Sequence, residues 1–387
     1  MMERRHELDW MRVIAVLMLF FYHSARVFDF SDFYVKNPTL STGAEVFVAV
    51  LDVWFPLFFF IAGASAWFAL KKRSASQFAS ERTRRLLVPF VFGVLFLATP
   101  QVYCVYIQQQ GNTASVAQFI RYLFSVPPLT AIVAGQVDEA RIVAYTWEMA
   151  HLWFVAYLLF FALVCLPLFS SIKDGRLRGV RDRLAGFCDR RKWGILLFGI
   201  PMALVFTALV LPEYLARMIF IVPFALGFIL YSDDRFGRAI DRAGLISFVS
   251  ALVLTGVTGA VAAMGWLEVS GVLVIPVGIL IGATMWAWLL TLVAGGRHLF
   301  NFSNSLLEYA NDASYPFYIL HQTVLVAIAL AIVELNVPWL VKYCLLLVGT
   351  LGITAAVYEL LVRRLRPARF LFGMRPLPRP AGPETTS

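Results

Sequence analysis

Apolar runs of about 20 residues alternate with short polar stretches along nearly the whole chain. A helix of that length spans the roughly 30 Å hydrocarbon layer of a bilayer. The runs fall at 11–29, 45–70, 86–108, 148–169, 193–211, 214–232, 245–265, 270–294, 315–335 and 338–362. They predict an all-α, polytopic integral membrane protein with about ten transmembrane helices. One membrane domain is expected over 1–375, followed by a disordered, proline-rich cytosolic tail at 376–387. No internal repeat stands out of the kind that builds inverted-repeat transporters. Pro56, Pro223 and Pro276 lie inside runs and are expected to bend their helices. The segment 109–147 reads as either a cover over a site or a connector.

Charge orients this arrangement. Basic loops stay cytosolic, and 27 of the 33 Lys and Arg residues fall on the side of the N-terminus, leaving Arg26, Lys36, Arg121, Arg141, Arg217 and Lys342 on the other. Both termini are therefore expected in the cytosol. The basic run at Arg4 and Arg5 before an apolar stretch resembles a signal peptide, but that stretch carries His23 and Arg26 with no small-residue cleavage site after it, so it is read as the first helix.

The chain of 387 residues is 60% hydrophobic and 15% charged, against about a quarter charged for soluble domains. Its net charge of +9 follows from topology and faces anionic lipid headgroups, so no nucleic-acid partner is expected. The lipid bilayer is the expected partner, and oligomeric state is left open. Cys104, Cys165, Cys188 and Cys344 are scattered, without the paired spacing of metal or redox chemistry. No two histidines have the short helical spacing of ligands, and no metal is expected.

Polar side chains at membrane depth are costly and mark functional interiors by default. In the first helix Arg12 and His23 lie eleven positions apart, which returns to within about 20° of one face and separates them by about 16 Å along the axis. Asp9 and Arg26 extend the same stripe. Arg12 reads equally as an interfacial anchor, and His23 as a hydrogen-bonded core residue. Asp52, the acid deep in the second run, either orients the His23 imidazole or pairs with Arg26. His151, beside Trp153, reads as an interfacial residue of an aromatic belt. His321 is expected in the cytosolic half of the ninth helix. Lys71, Lys72, Arg73, Arg82, Arg84 and Arg85 form a basic loop below the second and third helices. Guanidinium forks bind phosphate bidentately, although positive-inside topology alone places arginines there.

The segments LDWMRVIAVLMLFFYHS (8–24), LDVWFPLFFFIAGAS (51–65), ERTRRLLVPF (81–90), HLWFVAYLL (151–159), SYPFYILHQTVLV (314–326) and RPARFLFGMRP (366–376) resemble, in order, the acyltransferase family 3 membrane proteins, nearest the branch of the bacterial glucan biosynthesis protein C. The resemblance implies a membrane-embedded acyltransferase of the bacterial inner membrane. Such an enzyme moves an acetyl or succinyl group from cytosolic acyl-CoA to a hydroxyl of an extracytoplasmic glycan. It implies His23 as the catalytic residue, with Asp52 as its acidic companion, and Arg12 and the Arg82–Arg85 element with Arg84 near acyl-CoA. His151 and His321 are further site candidates. Acyl-CoA would be a substrate, with no permanently bound cofactor. A secondary transporter using the same polar interior, and a non-catalytic scaffold or sensor, are the rival readings.

Overall fold

A computed structural model describes residues 5–109, 149–207, 216–265 and 274–375, together with Ser115, Ala117, Gln118 and Arg121. Most of the 109–147 segment and the expected disordered tail at 376–387 lie outside the described residues. Every regular element among the described residues is helical. In chain order these are α1 (His6–Arg26), α2 (Thr42–Asp52), α3 (Phe55–Lys71), α4 (Ala75–Gly93), α5 (Thr99–Gln109), α6 (Trp153–Val164), α7 (Leu166–Lys173) and α8 (Arg178–Arg190). They continue with α9 (Ile200–Phe206), α10 (Ile221–Tyr231), α11 (Asp234–Ala263), α12 (Val274–Leu299), α13 (Ser305–Ile332), α14 (Trp339–Val357) and α15 (Arg366–Leu371).

Among the described residues seven helical segments are long and apolar enough to cross a bilayer, and α6 with α7, bent by 51°, makes an eighth if counted as one span. Pro167 stands at the start of α7, where its missing N–H is tolerated. The runs expected at 193–211 and 214–232 form shorter apolar helices, Gly194–Phe206 and Arg217–Tyr231. Pro56 opens α3 just after the helix is interrupted at Val53 and Trp54, and Thr42–Lys71 together makes one apolar stretch of 30 residues.

Three helices begin earlier than hydropathy alone indicated. The basic stretch 71–85 is not a loop, because α4 starts at Ala75. Ser74 Oγ accepts from Gln77 N at 3.1 Å while Gln77 Oε1 accepts from Ser74 N at 3.0 Å, a reciprocal cap that satisfies two donors otherwise orphaned at a helix start. Asp233 caps α11 by accepting from Arg235 N at 3.0 Å. Asn304 Oδ1 accepts from Leu307 N at 2.8 Å ahead of α13.

The chain divides into two units. The first comprises Met1–Met18, Val46–Arg82 and Tyr157–Asn311. Within it α3 and α10 approach until backbone meets backbone. An added Cβ at Gly63 would lie 1.9 Å from Phe224 O, and one at Gly227 would lie 2.0 Å from Phe60 O. Small residues allow this contact in lipid, where packing rather than water exclusion holds helices together. Stacked rings flank it, Phe59 on Phe220 at 4.9 Å and Phe169 on Phe228 at 3.7 Å. On α11 and α12, Arg297 donates to both carboxylate oxygens of Asp241, at 2.7 and 3.0 Å.

The second unit comprises Leu19–Glu45, Thr83–Ala156 and Asp312–Ser387. Val27, Phe28, Val35, Leu325, Val326, Ala329 and Leu346 form its core. The segment after α1 is tied down by charge. Asp29, wholly buried, accepts from Arg26 and from Lys36, each at 2.7 Å. Lys36 also donates to the carbonyls of Arg26, Asp29 and Ser31. Burial holds the Lys36 ammonium below its usual pKa, against the opposing pull of Asp29. Lys342, also buried, donates to Asn37 Oδ1 at 2.8 Å and Val333 O at 2.7 Å.

Candidate active site

Three histidines that are far apart in sequence meet inside the second unit. The rings of His23 and His321 are 5.2 Å apart between centroids, and those of His151 and His321 are 5.0 Å apart. His23 comes from the last turns of α1, His151 from the short helical turn Ala150–Leu152 that leads into α6, and His321 from the middle of α13. His321 is 0% exposed and His151 5%, while His23 is half-buried. Phe20 packs on His321 at 5.2 Å, and Tyr22 and Phe33 flank His23 at 5.0 and 6.0 Å.

Two expectations about these residues are corrected. His321 does not sit low in its helix. Because α13 starts at Ser305, ten residues before the apolar run, His321 is sixteen residues along it and meets a histidine near the far end of α1. His151 is not an interfacial belt residue but a buried one, covered by Tyr318 at 5.5 Å as well as by His321. Ala150 before it adopts φ 46°, the one left-handed non-glycine among the described residues. Such a conformation persists only where surrounding structure imposes it, and the Tyr318 hydroxyl donates to the carbonyl of His151 itself.

Backbone carbonyls assign the protons of two of these rings, since a carbonyl only accepts. His321 Nδ1 donates to Tyr318 O at 2.6 Å, and His151 Nε2 donates to Ile319 O at 3.1 Å. The remaining nitrogens, His321 Nε2 and His151 Nδ1, therefore carry lone pairs. Both are buried without a hydrogen-bond partner among the described residues, as is His23 Nδ1. Beside them Gln322 donates to Gln101 Oε1 at 3.0 Å, and Gln101 donates to Thr323 Oγ1 at 2.9 Å and to Leu97 O at 3.1 Å. Leu97 lies in the π-helical stretch Val94–Ala98 between α4 and α5, and such stretches often mark functional sites. Among the described residues no group of three or more His, Cys, Asp or Glu could hold a metal ion.

The other candidate residues distribute between the units. Arg12 belongs to the first, where it donates to Asp9 at 3.2 Å, Asn311 at 2.9 Å and Ser65 at 3.0 Å. Asp52, the last residue of α2, also belongs to the first unit and is half-buried. Arg26, in the second unit, is bound to Asp29 and to the carbonyl of Asp32. Arg82 ends a segment of the first unit and lies over the Phe78 ring at 5.2 Å, whereas Arg84 and Arg85 belong to the second. All three arginines are on α4, not in a loop. Tyr318, Gln101, Gln322 and Asn311 were not anticipated. Tyr318 was detectable in principle, since it precedes His321 by one helical turn in SYPFYILHQ.

A family model describing an acyltransferase domain matches residues 5–359. The chain belongs to the acyltransferase 3 family. It is an acyltransferase, and its apolar helices together with its family make it a multi-pass membrane protein. No curated protein and no solved structure matches it. The family span takes in the three clustered histidines and Arg12, Arg26, Arg82, Arg84 and Arg85.

Proposed function

We propose that this acyltransferase carries an acetyl or succinyl group from cytosolic acyl-CoA to a hydroxyl of an extracytoplasmic glycan, a periplasmic glucan being the favoured acceptor, with His23 as the catalytic base. The observation that carries this reading is the convergence of His23 with two buried histidines in a chain of the acyltransferase 3 family. The glucan acceptor rests on the resemblance of the segments between 8 and 376 to the glucan biosynthesis protein C branch. The asymmetry of Lys and Arg supports ten crossings of a bacterial inner membrane with both termini in the cytosol.

In this mechanism the donor docks from the cytosolic side. Arg82, Arg84 and Arg85 on α4 receive its phosphates as guanidinium forks, and Arg12 assists on α1. The pantetheine arm then bridges the length of α1 between Arg12 and His23, about 16 Å. His23 takes the proton of the acceptor hydroxyl as its oxygen attacks the thioester carbonyl. The C–S bond breaks, the CoA sulfur leaves as thiolate, and the proton held by His23 is returned to it.

The test is CoA release by the purified protein in lipid nanodiscs, with acetyl-CoA or succinyl-CoA and a β-glucan oligosaccharide. Acceptor-dependent release that disappears in His23→Ala supports the assignment. Full turnover by His23→Ala at normal folded yield refutes it. Gradient-coupled flux of a glycan or organic acid without consumption of acyl-CoA would make the protein a transporter.

A further inference from the structure

We propose that His321, assisted by His151, acts as a positioning residue that fixes the tautomer of His23, so that Nδ1 carries the hydrogen and Nε2 presents the lone pair to the acceptor hydroxyl. The inference rests on the reading of His23 as the base.

Two of the three rings have no freedom in the matter. Tyr318 O takes the Nδ1 hydrogen of His321, and Ile319 O takes the Nε2 hydrogen of His151. What each turns away from its carbonyl is a lone pair, at His321 Nε2 and His151 Nδ1, and both atoms are buried and unpartnered among the described residues. The cluster thus holds two fixed acceptors and no fixed donor. The ring whose proton no carbonyl assigns is His23, and its Nδ1 is the third buried, unpartnered nitrogen. Placing the hydrogen on Nδ1 gives a lone pair of the cluster a donor. Placing it on Nε2 would leave three buried lone pairs in the cluster and no donor among them, and a buried polar atom without a partner costs about 1–3 kcal/mol.

The spacing suits the contact. A near-linear N–H···N bond of about 2.9 Å between nitrogens lying about 1.15 Å from their ring centres needs centroids about 5.2 Å apart, the separation of His23 and His321; as the rings stand His23 Nδ1 and His321 Nε2 are not hydrogen-bonded, so the bond forms when the His23 ring turns. Their planes are tilted by 42°, and the outer torsion of histidine is broad enough to bring the two atoms into line. The left-handed Ala150 and the bond from Tyr318 to the His151 carbonyl hold the second acceptor in place. In hydrolytic triads the orienting group is a carboxylate, and losing tautomer control there costs about 10⁴ in turnover. Here the orienting group is a neutral imidazole whose own tautomer is locked by the backbone.

The test uses the full-length protein in nanodiscs, with wild type, His23→Ala, His321→Phe and His321→Gln compared. Phenylalanine fills the site and offers no acceptor, whereas glutamine restores one through Oε1. The expected result is a fall in kcat of about 10²-fold or more for His321→Phe, with KM for succinyl-CoA within about threefold of wild type, and at least a tenfold recovery for His321→Gln. Selective ¹⁵N-histidine NMR, which needs no substrate, should find His23 protonated at Nδ1 in wild type and a mixture of tautomers in His321→Phe. The proposal is overturned if wild-type His23 carries its hydrogen on Nε2, or if His321→Phe keeps wild-type kcat while His23→Ala is inactive. Turnover surviving in His23→Ala would instead defeat the base assignment, and the NMR result would still decide the tautomer.

Discussion

Replacing Gly227 with alanine should destabilise the first unit by more than any gain in helix propensity. The new Cβ would sit 2.0 Å from Phe60 O, 2.8 Å from its carbonyl carbon and 3.0 Å from its Cα. These are backbone atoms in α3 and cannot rotate aside, so reaching ordinary contact requires α3 and α10 to part by about 1.4 Å. A gap of that size forfeits a quarter to a half of each dispersion contact, including Trp67 against Phe228 and Phe60 against Tyr231. Overpacking costs about 1–3 kcal/mol, and the doubled glycine contact places this site toward the upper end. Gly256→Ala supplies the control, because nothing lies within 4 Å of a Cβ added there on α11. It gains up to about 1 kcal/mol of helix propensity without a clash. The two variants should therefore differ by about 2–4 kcal/mol, or several degrees in melting temperature at roughly 2 °C per kcal/mol for a large chain. Thermal melting in detergent, followed by intrinsic fluorescence at more than one scan rate, reads the difference. Identical melting of Gly227→Ala, Gly256→Ala and wild type would refute the close approach.

Three further outcomes follow from the charged and polar contacts. Asp29→Asn leaves Arg26 and Lys36 without their shared carboxylate and should cost about 2–3 kcal/mol, less than a fully buried pair because both cations keep some exposure; chemical denaturation of the detergent-solubilised protein measures it, and an unchanged midpoint would contradict it. Lys342→Met removes the donor to Asn37 Oδ1 and Val333 O and should lower stability by about 1–3 kcal/mol, with a drop in melting temperature as the readout. Hydrogen bonds from Arg238 and Arg242 hold Asp189 below its usual pKa, and those from Arg235 do the same for Asp233. Because both are depressed in the folded state, their contribution is complete above about pH 4 and disappears as pH falls through the folded values; melting between pH 7 and pH 3 should show this loss, and Arg238→Ala with Arg242→Ala should flatten the part due to Asp189.

The apolar runs were legible because lipid-facing segments must be continuously hydrophobic, and each of the ten contains helix among the described residues, although only seven helical segments, or eight with the bent pair, are long and apolar enough to span. Hydropathy does not find where a helix begins. The expected starts at 86, 245 and 315 moved to Ala75, Asp234 and Ser305, in each case because a polar first stretch is helical in spite of its charge. The signals lay in short-range capping chemistry, in Ser74 with Gln77, Asp233 with Arg235, and Asn304 with Leu307. That error had a functional consequence. A late start for α13 put His321 in the wrong half of the helix and separated it from His23. The stripe carrying Arg12 and His23 was visible in sequence because it is periodic within one helix. The meeting of His23 with His151 and His321 depends on three separate elements, and no local pattern encodes it.

The chemistry of the cluster also fits the medium around it. A carboxylate beside a buried base must be desolvated, at a cost of several kcal/mol that only good hydrogen bonds repay. Neutral imidazoles incur no such charge penalty, and two backbone carbonyls are enough to determine which way their lone pairs face. The orienting group for His23 can therefore sit where the protein is driest: His321 is wholly buried, with Phe20 on one side and His151 on another. The charged residues of the second unit are used differently. Asp29, Arg26 and Lys36 neutralise one another in the segment following α1, and Lys342 is satisfied by an amide and a carbonyl. Charge secures the segment that follows α1, while uncharged donors and acceptors set the orientation of the reacting ring. A cation or carboxylate introduced at position 321 should therefore be far more damaging than the glutamine that preserves an uncharged acceptor.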